Sequence, residues 1–223
     1  MRFASLLFIL LSPTGLFAQK TISFATDDGG TIYADLYGEG PRGLVLAHGG
    51  QFNKESWKDQ AEVFAKAGYF VLALDFRGFG NSTGPGQKDP MSAPLGKDVL
   101  AAVRYLHNHG AKTVSIVGAS MGGWAAAAAS IASKPGEIDR LVLLGSAPGD
   151  TEEKIKSPLL VIVARNDTSG DGPRLPGIQA QFEKAPQPKE LIIVEGSAHA
   201  QFLFKTDQSD RVMKEILRFL SAK

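Results

Sequence analysis

Six short apolar runs recur along this chain of 223 residues, at positions 44–47, 70–74, 114–117, 141–144, 159–163 and 191–194, and none contains a charged residue. A strand with one face in water alternates apolar and polar residues, whereas a strand covered on both faces reads as a continuous run. The runs therefore predict parallel strands with helices packed against both sides of the sheet. The intervening segments supply those helices. Residues 55–67 gather Trp57, Ala61, Phe64 and Ala65 on one face and stop at Gly68. Residues 95–108 gather Val99, Ala102, Val103 and Leu106, and residues 211–220 align Val212, Ile216, Phe219 and Leu220. A shorter helix is expected over residues 178–184, ahead of Pro186. Only the start of the chain departs from this pattern. Residues 21–24 and 31–37 alternate polar and apolar around Asp27-Asp28-Gly29-Gly30, which predicts an antiparallel hairpin. The expected class is α/β: a mostly parallel central sheet with an N-terminal antiparallel hairpin and helices on both faces. No repeat or linker interrupts residues 19–223, which are expected to form one domain.

Composition narrows the chemistry. A formal net charge of +1 without any Lys/Arg run argues against a nucleic-acid partner or an anionic membrane surface. With no cysteine, the chain has no disulfide framework, no Cys-ligated zinc and no thiol nucleophile. Residues 1–18 have the layout of a cleaved secretory signal: Arg2, an apolar stretch from Phe3 to Leu11 broken only by Ser5, then Ser12-Pro13-Thr14-Gly15 and the small Ala18. The apolar part is too short to span a bilayer. The expectation is a mature chain beginning near Gln19, secreted or periplasmic, with no membrane contact after cleavage.

Gly118-Ala119-Ser120-Met121-Gly122 follows the run at 114–117 and precedes Trp124 and an alanine block at 125–129. Strand, sharp turn, helix is the setting of a G-x-S-x-G nucleophile elbow, in which glycines let strand and helix approach and the serine hydroxyl stands exposed at the sheet's carboxyl edge. Ser120 is the candidate nucleophile. The glycines around Gly80 to Gly86 lack the G-K-[ST] of a Walker loop, and the Gly145-Ser146-Ala147-Pro148-Gly149 loop lacks a G-x-G-x-x-G spacing, so no cofactor is implied. His107 and His109, two apart on an expected helix, point to different faces and cannot share a metal.

Other segments fall into line with the elbow: Leu46-Ala47-His48-Gly49-Gly50-Gln51, then Leu74-Asp75-Phe76-Arg77-Gly78-Phe79-Gly80-Asn81-Ser82, and, after it, the strand-like 158–163 leading to Ala164-Arg165-Asn166-Asp167, and Gly196-Ser197-Ala198-His199. In this order and over residues 21–223 the chain resembles an α/β-hydrolase. The resemblance implies a Ser-Asp-His triad of Ser120, Asp167 and His199, in the chain order that fold uses. It implies an oxyanion hole from the backbone N–H of Met121 and that of Gly50, with Gln51 as the other possibility for the second donor. His48 is expected to brace the oxyanion loop and Arg77 to brace its own. A glycan at the sequon Asn166-Asp167-Thr168 would crowd the triad, which favours a bacterial compartment over a glycosylating one.

The expected activity is hydrolysis of small carboxylic esters through an acyl-enzyme, with a small-molecule acyl substrate and neither metal nor cofactor. Residues 145–158 are too few for a helical cap, so the pocket is expected to be open, covered only by loops. Three alternatives stay open on the residues alone: a thioesterase, an aminopeptidase-like serine peptidase using Glu55 or Asp150 to hold an α-amine, and a non-catalytic binding protein on the same fold.

Overall fold

The computed structural model describes residues 19–149 and 151–222. The signal-like segment at 1–18 lies outside them. Eight strands form one sheet: β1 (Lys20–Ala25), β2 (Thr31–Tyr37), β3 (Arg42–Ala47), β4 (Phe70–Leu74), β5 (Thr113–Ala119), β6 (Leu141–Leu144), β7 (Leu159–Ala164) and, after the two-residue strands β8 (Thr168–Ser169) and β9 (Gly172–Pro173), β10 (Lys189–Val194). Their spatial order is β1-β2-β4-β3-β5-β6-β7-β10. The β1–β2 hairpin and the β2–β4 pair are antiparallel, and every later pair in the sheet is parallel.

Five helices cover it: α1 (Lys58–Lys66), α2 (Leu95–Asn108), α3 (Met121–Ala132), α4 (Arg174–Lys184) and α5 (Ser209–Leu220). Because side chains alternate along a strand, each inner strand feeds both faces. Val45 and Ala47 join Leu95, Val99, Ala125, Ile178 and Phe182 on the α2–α3–α4 side. Leu44 and Leu46 join Ala61, Phe64, Val212 and Ile216 on the α1–α5 side. Two apolar layers, with each buried Leu, Val or Ile contributing roughly 1.5–3 kcal/mol, hold the sheet edge as a rigid shelf.

α5 begins two residues before the expected 211, and two other helix boundaries depart from expectation. The stretch expected as one helix over 55–67 begins as a 3₁₀ turn, Lys54–Trp57, before α1. The turn is tied down by the Lys54 N–H, which donates to Asp75 Oδ1 at 2.7 Å. The helix expected from 178 starts four residues earlier, at Arg174. Pro176 and Gly177 look like breakers in the sequence, but Pro176 sits in the first turn, where a helix leaves its N–H groups unpaired anyway. Among the described residues no helix is long and apolar enough to cross a membrane.

Candidate active site

The turn between β5 and α3 sets the site. Ser120 has φ 51° and ψ −114°, a backbone geometry that L side chains rarely adopt. It is held there by its N–H, which donates to Leu144 O on the neighbouring strand (2.9 Å), and by its carbonyl, which accepts from Gly123 and Trp124. The flanking glycines are required by space. A Cβ on Gly118 would collide with the Gly122 carbonyl, and one on Gly122 with the carbonyls of Ala47 and His48. The strained turn thus presses the start of α3 against the end of β3.

His199 and Asp167 arrive from the next strands along. Asp167 lies between β7 and β8, and His199 follows β10. Their loops are zipped together by Arg165 N–H to Val194 O (2.8 Å) and Asn166 N–H to Gly196 O (2.9 Å). His199 Nε2 stands 2.8 Å from Ser120 Oγ, and His199 Nδ1 stands 2.7 Å from Asp167 Oδ2. Asp167 is buried (side chain 1% exposed), while the His199 side chain is 26% exposed. The structure therefore brings together all three residues picked out in the sequence. Asp171, four residues further on, lies exposed in the β8–β9 turn.

Backbone N–H groups without acceptors lie near the same turn. Met121 and Gly122 open α3, where a helix has no carbonyl to receive their N–H groups. In the β3–α1 loop the Gly49 N–H is occupied by Gln201 Oε1 (2.7 Å), whereas neither Gly50 nor Gln51 donates to any acceptor among the described residues. Both remain eligible as the second donor. Gln201, which nothing in the sequence singled out, spans from this loop to Ser56 Oγ (2.9 Å) and so ties the loop to the segment that follows His199.

His48 is fully buried behind the loop. The Phe76 N–H donates to its Nε2 (3.3 Å), which leaves the proton on Nδ1, and Nδ1 donates to Gly49 O (2.8 Å). Burial lowers its pKa to about 4, so the ring is a neutral brace near pH 7. Arg77 is likewise buried. It forks onto Asp98 and Asp28, at 2.6–3.2 Å, and onto Pro85 O, away from Ser120.

A cleft of about 400 Å³ opens at Ser120, bordered by Met91, Trp124, Ala147 and the start of α4. Among the described residues of 145–158 the 3₁₀ turn Glu152–Lys154 is the only helical piece, and the cleft is bordered by loop residues and by α4. Trp57 is fully buried core and Phe79 packs against His48, while Trp124 lines the cleft, 42% exposed. Glu55 pairs with Lys54 and borders a different hollow, with Phe52 and Phe202. Asp150 lies outside the described residues.

Known proteins share this frame. The chain is 31% identical over 140 residues to a 2-hydroxy-6-oxononadienedioate/2-hydroxy-6-oxononatrienedioate hydrolase of Paraburkholderia phymatum, covering 59% of this chain and 46% of that protein. It is 31% identical over 150 residues to a non-heme chloroperoxidase of Streptomyces lividans, covering 66% and 48%. The match thus spans about half the length of these curated relatives. An esterase of Pyrococcus furiosus superposes with a TM-score of 0.72 at 20% identity, over 91% of this chain and 93% of that one, which speaks to fold. The family defined by the alpha/beta hydrolase fold matches residues 44–192, two thirds of the sequence, and the chain belongs to it.

Proposed function

We propose that this protein is a serine hydrolase that cleaves small carboxylic esters. The observation that carries the reading is the unbroken relay Ser120–His199–Asp167, with contacts of 2.8 and 2.7 Å, at the floor of an open cleft. A serine hydroxyl is a weak nucleophile until a base takes its proton. His199 Nε2 is placed to accept that proton as Ser120 Oγ attacks the ester carbonyl. Asp167 Oδ2 accepts the Nδ1 proton, fixing the tautomer and stabilising the imidazolium. The negative charge on the carbonyl oxygen falls to the Met121 N–H and to that of Gly50 or Gln51. His199 then returns its proton to the leaving alcohol, and water, deprotonated by the same ring, discharges the acyl-enzyme.

Esters are favoured over peptides because no described carboxylate lines the cleft to hold an α-amine. The cleft's openness favours short acyl groups over a deep lipid tunnel. A triad already in hydrogen-bond contact supports catalysis over mere binding. If residues 1–18 are removed on secretion, the enzyme works outside the cytoplasm.

The test pairs a fluorophosphonate probe with p-nitrophenyl esters from acetate to decanoate, on wild type and Ser120→Ala. Expected are labelling that the substitution abolishes and turnover that declines as the acyl chain lengthens. Labelling without ester turnover would turn the assignment toward thioesters or amides. No labelling of folded wild-type protein would overturn the activated serine and leave the binding-protein reading.

A further inference from the structure

One side chain of the cleft has no part in that relay. Arg174, the first residue of α4, is the only charged residue lining the cleft among the described residues. Its side chain is 37% exposed, and the only carboxylate within 4 Å of it among the described residues is Asp167, whose Oδ1 is 3.4 Å from Nε. That ion pair is not closed by a hydrogen bond: Nε and Oδ1 are both buried without a hydrogen-bond partner. Asp167 is meanwhile engaged through Oδ2 with His199. A guanidinium carries five N–H donors in a flat fork that matches a carboxylate's two oxygens. Here none of them is engaged in a hydrogen bond among the described residues. Gln181, on the same helix and lining the same cleft, accepts the Gly149 N–H through Oε1 (3.0 Å), which leaves its amide NH₂ as a further donor. The wall formed by α4 therefore offers donors and positive charge.

We infer that the substrate carries a carboxylate, on its acyl or its alcohol side, and that Arg174 binds it in the Ser120 cleft. The inference rests on the ester-hydrolase reading for its reaction but not for its binding site. A bidentate charge-assisted pair predicts that kcat/KM for an anionic ester exceeds that for its neutral counterpart by roughly ten- to hundred-fold. The advantage shrinks as salt rises, because the site is partly open to solvent.

The experiment compares monomethyl glutarate with methyl pentanoate, and acetylglycolate with ethyl acetate, on wild type, Arg174→Gln and Arg174→Lys. The expected result is an anionic-to-neutral ratio well above one for at least one pair. Arg174→Gln should reduce that ratio ten-fold or more, and Arg174→Lys should restore part of it. A residue that merely steadied Asp167 would lower both members of a pair alike and leave the ratio standing, which would overturn the proposal. A wild-type ratio near one for both pairs would do the same. Calorimetry with glutarate on the Ser120→Ala protein needs no turnover. Binding that disappears when Arg174→Gln is added supports the carboxylate site even if the ester reaction proves wrong, and no binding of glutarate overturns it even if neutral esters are cleaved.

Discussion

Two clusters in this molecule use the same materials, a buried carboxylate beside a basic side chain, and finish them differently. Around Arg77 everything is matched. Its Nε, Nη1 and Nη2 donate to Asp98, Asp28 and Pro85 O, and Asp98 also accepts the Arg77 N–H at 3.0 Å. Burial pushes the Asp98 carboxyl up and the Arg77 hydrogen bonds pull it back, while Asp28 is held far below the usual carboxylate range, chiefly by its hydrogen bond to Arg77. Around Ser120 the bonding is incomplete. The serine sits in a strained backbone, the first N–H groups of α3 and those of Gly50 and Gln51 await an acceptor, and Asp167 Oδ1 has no hydrogen-bond partner. A cluster whose donors and acceptors are all used can only hold structure together. A cluster that keeps some unused, at a cleft, has something left for a ligand.

The contrast is broken or confirmed first at Ser120. Ser120→Ala is expected to lower kcat/KM for a p-nitrophenyl ester by roughly 10⁴–10⁶-fold, about 5–8 kcal/mol of transition-state stabilisation, with melting unchanged. Ser120→Gly should be equally inactive but more stable by about 1–3 kcal/mol, because glycine accepts the positive φ without strain. Equal melting temperatures for the Ala and Gly variants would show that the turn stores no strain.

Arg77→Ala attacks the completed cluster and should show the opposite signature. It leaves Asp98, fully buried, without its cation, and removing one partner of a buried pair costs about 3–5 kcal/mol. Denaturant unfolding should show the loss directly, whereas the folded fraction should still be labelled by fluorophosphonate. A variant as stable as wild type would mean that the cluster is ornamental.

How much of this could be read in the sequence follows the same division. The six apolar runs marked all six parallel strands; burial on both faces writes itself into nearly every residue of β3 to β7, while β10, at the sheet's edge, keeps an apolar run in which only Val194 is fully buried. Ser120, Asp167 and His199 could be picked out because each stands just past such a run, at the one edge where strand ends converge. Arg174 and Gln201 could not. Arg174 was hidden between Pro173 and Pro176, in a stretch that reads as loop, since the first turn of a helix tolerates what its interior does not. Gln201 owes its place to a 3₁₀ turn after His199 that folds the chain back under Gly49, a contact across 152 positions that no local pattern encodes. The second oxyanion donor stays shared between Gly50 and Gln51 because backbone N–H groups leave no mark in residue identity.

His48 offers a subtler comparison, since its hydrogen bonds are complete whereas His199 is the proposed base at the cleft. Its folded pKa of about 4 lies below the ordinary 6.5, so between those values the unfolded chain takes up a proton that the folded ring refuses. Its contribution to stability is full above about pH 6.5 and is lost as pH falls toward 4, by up to about 3 kcal/mol. Measured as unfolding free energy against pH, wild type should show this slope, and His48→Phe should lack that part of it. An identical slope in both proteins would place the titration elsewhere.

The smallest expected effect separates the two tryptophans. Trp57 is fully buried against Phe204 at 5.8 Å, whereas Trp124 stands 42% exposed on the first turn of α3 and lines the cleft. Removing an exposed ring leaves little cavity and no orphaned group, so Trp124→Ala should change stability by less than about 1 kcal/mol. Its cost should appear in substrate binding: a few-fold rise in KM for p-nitrophenyl butyrate and less for acetate, since the ring offers apolar surface that only the longer chain can reach, at about 0.8 kcal/mol per buried methylene. An equal KM rise for both esters would place the ring against the shared leaving group instead, and with it the direction in which the acyl chain leaves Ser120.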